Sequence, residues 1–580
     1  MNARTACLFV GAVGAASCGD KTTPQATPGK GDWFVDVAQR SGLDFVHQNG
    51  MTGEHYFCEV VGPGPALFDY DGDGDLDVFI PQGHTLDPKK SAAEAPSSQR
   101  GGRLFRNDLA VSADGTRTMS FVDVTVASRI VALGYGMGSA VGDIDNDGDP
   151  DLYLTCFGHN QMWRNGGDGT FTDVTVPSGT DDQRWSTSAA FLDYDRDGLL
   201  DLYVVNYVNF HLESAKPCRS PVGRPDYCGP SAYEGEPDRL FRNTGAGVFE
   251  DASARSGISA KRGPGLGVIC TDLDGDGWVD VYVANDGKPN FAWINARDGT
   301  FKDEALIRGL AVAMSGSAEA SMGVDAGDID NDGDEDIFIA NLDGESNVLY
   351  RNLGRGMFAD ERGATGLAAP SLERTGFGAS MLDYDNDGWL DVLTVNGAVK
   401  TIEAQALAGD PFPLRQRKQL FHNRGDGTFA EVSESTGAAF TLSEVGRGAA
   451  FGDVDNDGDT DVVVTNNNGR ARLLENRLEV RGLAHHWLGM SFQGRSPAWL
   501  RTGALVKVFR PRGPTLARRS HSVASYCSVN DPRVIVGLGT DSAIDRLEVT
   551  WPSGATERFD APGVDRYVTI IEGAGKPAER

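Results

Sequence analysis

The feature that most constrains the fold is a nine-residue acidic stretch, DYDGDGDLD at Asp69, which returns six times in close variants before residue 462. The seven copies open at Asp69, Asp143, Asp193, Asp272, Asp328, Asp383 and Asp453, and each has Asp at positions 1, 3, 5 and 9 and Gly at position 6. The first loop offers Asp69, Asp71, Asp73 and Asp77, the second Asp143, Asp145, Asp147 and Asp151, and the third Asp193, Asp195, Asp197 and Asp201. Asp272, Asp274, Asp276 and Asp280 follow in the fourth, and Asp328, Asp330, Asp332 and Asp336 in the fifth. The sixth has Asp383, Asp385, Asp387 and Asp391, and the seventh Asp453, Asp455, Asp457 and Asp461. Position 7 varies freely, as Asp75, Asp149, Leu199, Trp278, Asp334, Trp389 and Asp459, which is expected of a residue that contributes only its backbone carbonyl.

Ca²⁺ takes six to eight oxygens at about 2.3–2.6 Å, and alternate residues of a tight loop can turn three carboxylates to one point while the Gly permits the bend. One such stretch reads as well as a polar Asp/Gly turn; seven in register predict up to seven structural calcium ions. An EF-hand ends in Glu at position 12 between helices. Here position 12 is Ile80, Leu154, Val204, Val283, Ile339, Thr394 or Val464, and flanks such as FLDYD and LLDLYVV have the composition of strands. Each ion is therefore expected at the turn of a β-hairpin.

Two companion motifs travel with the loops. Phe-x-Asp/Glu occurs at Phe34, Phe121, Phe171, Phe249, Phe301, Phe358 and Phe429, and a short strand ending in Asn runs from LFRN (Leu104–Asn107) to LLEN (Leu473–Asn476). The cycle is Phe-x-Asp strand, Gly/Ala-rich strand, acidic loop, LDLYV strand, Asn strand. Four strands repeated seven times predict an all-β, seven-bladed β-propeller. The chain opens with Phe-x-Asp and leaves the array after LLEN, so the strand near Trp33–Ala38 is expected to pair with Leu473–Asn476 and close blade seven. An open solenoid is the competing layout, but no capping repeat is visible. Loop spacing is uneven, which puts insertions near 84–102, 109–119, 209–238 and 398–418, the surface loops where binding specificity tends to reside.

The formal charge of −30 arises mainly in the loops, and seven Ca²⁺ would bring it to −16. With 40% hydrophobic residues the chain is expected to fold, and its acidity argues against a nucleic-acid partner. Residues 1–18 read as an export signal, with Arg4, an apolar run and Ala-Ser before Cys18. Cys18 resembles the modified Cys of a bacterial lipoprotein, and 19–32 has the Thr/Pro/Gly composition of a tether. The expected location is extracytoplasmic, as an envelope lipoprotein held only through Cys18 or as a secreted protein. In that compartment Cys218 and Cys228, which bracket CRSPVGRPDYC, are expected to form a disulfide, while the pairing of Cys58, Cys156, Cys270 and Cys527 stays open.

The domain plan is a propeller over 33–479 and a small β-sandwich or barrel over 480–575, where HHWLGMSFQG, GALVKVFRPRG, RVIVGLG, IDRLEVTWPSG and RYVTIIEG read as strands. Arg501, Lys507, Arg510, Arg512, Arg518 and Arg519 make this region locally basic, either a surface that balances the acidic propeller or a polyanion site. The loops and IDRLEVTWPSG (Ile544–Gly554) resemble calcium-type FG-GAP (VCBS-like) repeats followed by an ASPIC/UnbV domain, as in bacterial relatives of the cartilage acidic protein 1 family. RTGALVKV departs from the Gly-x-Gly-Ala-Arg-Val run of such domains. The resemblance implies a surface-exposed, calcium-dependent propeller similar in architecture to integrin α heads, without one agreed activity.

The function expected first is a binding or adhesion module with a protein or polysaccharide ligand at the cell surface. The second is an enzyme, a lyase, dehydratase or oxidoreductase, with its site in the propeller funnel. The sequence has no Gly-x-Ser-x-Gly elbow, His-Glu-x-x-His helix or Cys-x-x-Cys-His, and funnel chemistry would fall to His47, His55, His159 and Tyr135. A third possibility is a structural envelope component.

Overall fold

In the computed structural model, which describes residues 31–87, 101–494 and 502–578, the chain is built chiefly of short antiparallel strands. The expected export signal, Cys18 and residues 19–30 of the tether lie outside the described residues, as do residues 88–100 and Arg501. Each acidic loop joins two antiparallel strands, Ala66–Phe68 with Asp77–Ile80 at the first and Tyr135–Gly142 with Asp151–Phe157 at the second. The other five loops do the same. Runs such as Asp201–Asn206 and Asp391–Asn396 are buried throughout, which explains why they read as continuous rather than alternating apolar stretches. The strand ending in Asn pairs next and the Phe-x-Asp strand last, so every repeat is a sheet with these four strands in the same order.

Seven such sheets are present among the described residues. In the seventh the outer strand is Phe34–Asp36, with Phe34 opposite Asn476, Val35 opposite Glu475 and Asp36 opposite Leu474. The two ends of the repeat array thus meet in one sheet. Arg472 secures the join, donating to Asp36 at 2.8 Å and to buried Glu444 at 2.6 Å.

The Gly/Ala-rich strands lie innermost. Each contacts its counterparts in the preceding and following sheets, and Ala66–Phe68 of the first contacts Gly446–Gly452 of the last. Small residues permit that approach: a Cβ on Gly448 would stand 2.4 Å from Gly64 Cα, and one on Gly323 would stand 1.9 Å from the Phe377 carbonyl oxygen. Val61, Met137, Trp185, Leu266, Met322, Phe377 and Val445, one from each repeat, share a single buried cluster at the centre.

After the last repeat the chain forms a three-stranded sheet (Val534–Gly539, His486–Gln493, Tyr567–Ile571). A five-stranded sheet (Leu516–Arg519, Leu505–Phe509, Arg546–Thr550, Thr556–Asp560, Lys576–Pro577) shares a core with it that includes Leu488, Val506 and Trp551. One segment departs from a self-contained C-terminal unit. Val523–Ala524 and Ser528–Val529 form a hairpin that joins the inner edge of the first repeat sheet, with Val529 beside Ala66. Tyr526, at the hairpin tip, is fully buried in the central cluster with its ring 4.8 Å from Phe377. No local pattern in SVASYCSVN announces a partner so distant in the chain.

Candidate metal centre

Each acidic loop is folded by its own carboxylates before any metal is considered. At position 1, Asp69 accepts the Gly72 N–H at 2.8 Å, the Asp73 N–H at 3.1 Å and the Gly74 N–H at 2.9 Å. The other six first-position residues accept from positions 5 and 6 in the same manner. At position 9 the carboxylate is buried and accepts two backbone donors: Asp77 takes Tyr70 N–H at 2.9 Å and Asn107 N–H at 2.8 Å. That pair of bonds recurs in all seven sheets, which is why position 9 does not vary.

The side chains converge. In the first and second loops carboxylate oxygens of positions 1, 3 and 9 (Asp69, Asp71, Asp77; Asp143, Asp145, Asp151) lie within 4.8 Å of one another. In the third and fourth the group is positions 1, 3 and 5 (Asp193, Asp195, Asp197; Asp272, Asp274, Asp276), and in the sixth it is Asp385, Asp391 and His422. The donor set fits a hard divalent cation, and buried oxygens left without a hydrogen-bond partner mark where one would sit: Oδ1 of Asp145, Asp385, Asp455 and Asp459. Burial also pushes the position-9 carboxyls far above their ordinary range in the metal-free chain. Asp77, Asp151 and Asp336 rise to about 8, Asp201 to about 9 and Asp391 to about 7. A bound cation favours the ionised form and opposes that shift.

The loops are also tied to one another. In six sheets the Asn that ends the third strand points its side chain at the preceding sheet, where Asn107 donates to Val454 O at 3.0 Å and Asn165 to Tyr70 O at 2.8 Å. Asn243, Asn295, Asn423 and Asn476 repeat this bond to the position-2 carbonyl of the preceding loop. In the other direction, position 4 donates to the position-6 carbonyl of the following loop. Asn146 reaches Gly198 at 3.2 Å, Asn331 reaches Gly388 at 3.1 Å, Asn386 reaches Gly458 at 3.0 Å, Asn456 reaches Gly74 at 3.3 Å, and Arg196 reaches Gly277. Position 4 is left-handed, with φ between 56° and 60° at these five residues, which Asn tolerates better than most side chains. The two bonds from Asn107 and Asn456 run between the seventh loop and the first.

Replacing Asn107 by Ala leaves the buried Val454 carbonyl unpaired, at a cost of about 1–3 kcal/mol. Asn352 is the control, because its side chain bonds only within its own sheet, to Glu335 O at 3.2 Å. Urea denaturation in calcium is expected to show the larger loss for Asn107→Ala; equal losses would mean that the bond between sheets contributes nothing.

The C-terminal domain seats its basic residues on this loop face. Arg518 donates to Gly388 O at 3.1 Å, Arg519 pairs with Glu335 at 2.7 Å, and Arg533 donates to Asp453 O at 2.8 Å. Tyr567 donates its hydroxyl to Asp453 Oδ2 at 2.7 Å, and the Trp487 ring lies where a Cβ on Gly458 would have to go. Several of these cations therefore balance the acidic loops, the first of the two alternatives the sequence left open.

On the other face, the insertions of the third and sixth sheets meet. Cys218 and Cys228 are disulfide-bonded, whereas Cys58, Cys156, Cys270 and Cys527 are free. The bridged loop of the third sheet reaches the insertion of the sixth, where Thr401 donates to Asp226 at 3.1 Å, Arg224 pairs with Glu403 at 3.5 Å and Lys400 donates to Tyr227 O. Tyr227 also donates to Glu59, ahead of the first sheet, at 3.1 Å. Of the residues named for funnel chemistry, Tyr135 and His55 sit around the Glu59 segment, through Asn49 and Tyr227, and His159 stands apart. His47 accepts Asn468 N–H and is held by burial down to about 3, Tyr135 donates to Asn49 O, His55 lies edge-on to Tyr227, and exposed His159 pairs with Asp181. His485 and His486 diverge, to Asp385 O and Asp565.

Two family models match the chain: FG-GAP-like repeat over residues 143–204, 272–339, 328–394 and 412–499, and ASPIC and UnbV over residues 494–577. Cartilage acidic protein 1 of Mus musculus is 26% identical over 514 residues, 85% of this chain and 70% of the relative. The Homo sapiens protein of that name is 27% identical over 453 residues, 74% of this chain and 62% of the relative, so the chain spans less than two thirds of the human protein's length. Among solved structures, BBS1N in complex with ARL6DN covers 75% of this chain and 96% of its own at 10% identity and a TM-score of 0.40.

Proposed function

The chain carries FG-GAP-like repeats followed by an ASPIC and UnbV domain, and from that premise we propose that it is an exported, calcium-stabilised seven-bladed β-propeller that binds a protein or polysaccharide at a cell surface. Five residues of a loop, positions 1, 3, 5, 7 and 9, hold one Ca²⁺, position 7 through its carbonyl, up to seven ions in all. The ions are structural. They clamp the hairpin tips against which the C-terminal domain rests, beside the 109–119 insertion, whose Arg117 donates to Asn456 O at 3.0 Å, and leave the opposite face to the insertions of the third and sixth sheets. The convergence of the third-sheet and sixth-sheet insertions with the segment ahead of the first sheet on that opposite face, braced by the Cys218–Cys228 bridge, is the observation that carries the binding assignment. The antiparallel order explains the division: loops between strands one and two emerge on one face and those between strands two and three on the other.

A disulfide suits an oxidising compartment, and among the described residues no helix is long and apolar enough to cross a membrane. Attachment is then through Cys18 or absent. The test is binding of the purified protein at millimolar calcium to arrayed envelope and host polysaccharides and to surface proteins. Calcium-dependent binding that weakens at least tenfold when Cys218 and Cys228 are both replaced by Ser supports the reading. No binding to any of them in calcium overturns it.

A further inference from the structure

We propose that the sixth loop is a mixed nitrogen and oxygen site that selects a transition ion of the Zn²⁺ type over Ca²⁺, an inference that rests on the loops being metal sites at all. The residue before the third-strand Asn sets it apart. In four sheets that residue is Arg106, Arg164, Arg242 or Arg351. The last three of these pair with the position-3 carboxylate of their own loop, Arg164 with Asp145 at 3.8 Å, Arg242 with Asp195 at 2.6 Å and Arg351 with Asp330. Ile294 and Glu475 occupy the place in the fourth and seventh sheets, and the sixth has His422.

His422 Nδ1 shares a 3.1 Å hydrogen bond with Asp391 Oδ1 and lies 3.9 Å from Asp385 Oδ2, and the three residues form one convergent donor group in which a bound ion would replace that hydrogen bond. Asp385 is only 8% exposed, no arginine among the described residues pairs with it, and its Oδ1 is buried without a hydrogen-bond partner while Oδ2 faces His422. The ring is fixed in place edge-on to Tyr384, with centroids 5.9 Å apart, and Asp391 is fixed by Asn423 N–H at 2.7 Å. From the C-terminal domain, His485 bonds the Asp385 carbonyl at 2.6 Å and covers the same loop.

Zn²⁺ binds imidazole nitrogen at about 2.0–2.1 Å and carboxylate oxygen at about 2.0–2.2 Å, in a tetrahedron whose ligand atoms stand roughly 3.4 Å apart. The separations around His422 bracket that value. Ca²⁺ takes oxygen ligands, so an imidazole in the shell favours the softer ion. The competing arrangement is a protonated His422 that replaces the missing arginine as a counter-charge and binds nothing.

The experiment equilibrates metal-stripped protein with millimolar calcium and micromolar zinc, desalts it, counts both metals by mass spectrometry and locates zinc by anomalous diffraction. The expected result is one zinc per wild-type chain at His422. His422→Arg, which restores the residue of the other sheets, and His422→Asn, which keeps an oxygen donor, are each expected to hold none while melting in calcium like wild type. Wild-type protein that retains calcium but no zinc, or variants that retain as much zinc as wild type, would overturn the inference and leave the calcium reading standing. Protein that binds neither metal would overturn both.

Discussion

Stripping calcium with EDTA is expected to lower the melting temperature by roughly 15–20 °C. A site occupied at a hundredfold excess over its dissociation constant adds about 2.7 kcal/mol, and seven sites add close to 20 kcal/mol against an unfolding entropy of about 2.1 cal/mol/K per residue. Differential scanning calorimetry with and without chelator measures it, and superimposable traces would rule out metal in the loops. The pH dependence should reverse between the two forms. In the stripped protein the position-9 carboxyls titrate above their unfolded values because burial penalises the charged form. A folded-state pKa that is raised gives stability that is complete below about pH 4 and is lost as pH climbs through 7–9. The metal-free chain is therefore expected to melt lower at pH 8.5 than at pH 6. With calcium the same carboxylates must be ionised to bind, so the gain from the metal grows over that range.

Deleting residues 1–37 is expected to destabilise the protein by at least about 4 kcal/mol relative to a chain that begins at residue 31. The longer deletion removes Phe34 and Val35, exposed by 0% and 2%, from a packed sheet, and losing one large buried side chain alone costs about 3–5 kcal/mol. It also uncovers the hydrogen-bonding edge of Arg472–Asn476 and takes the Asp36 partner from Arg472. Guanidinium denaturation in excess calcium, with light scattering to follow association through the bared edge, reads both effects. Equal stability of the two truncations would show that the terminal strand does not stabilise the last repeat sheet.

The strand order, the acidic loops and the pairing of Phe34–Asp36 with Arg472–Asn476 were legible because each repeat carries the same chemistry at the same spacing. The four-carboxylate spacing stands out against any background of ordinary turns. The Asn of LFRN was legible as a motif but not as a bond, because its acceptor lies in the preceding repeat and nothing in the segment points there. The same holds for position 4, whose Asn reads locally as a residue suited to a left-handed turn. Its second use, as a donor to the next loop, exists only once the sheets stand side by side. Of the residues named for funnel chemistry, His47 is buried and accepts the Asn468 N–H, and His159 is exposed beside Asp181, placements that no local pattern announces.

By itself the sequence determined everything that depends on neighbours within about ten residues: hairpins closed by carboxylates, four strands to a repeat, and a Cys pair spaced to bridge. Only the tertiary structure decided that Tyr526 fills the centre of the array and that a basic domain rests on the loops. Only the tertiary structure set His422 against Asp385 and Asp391. The physical reason is range. Backbone propensity and alternation act along the chain, whereas packing and charge pairing act across space between residues whose separation in sequence carries no signal of their contact.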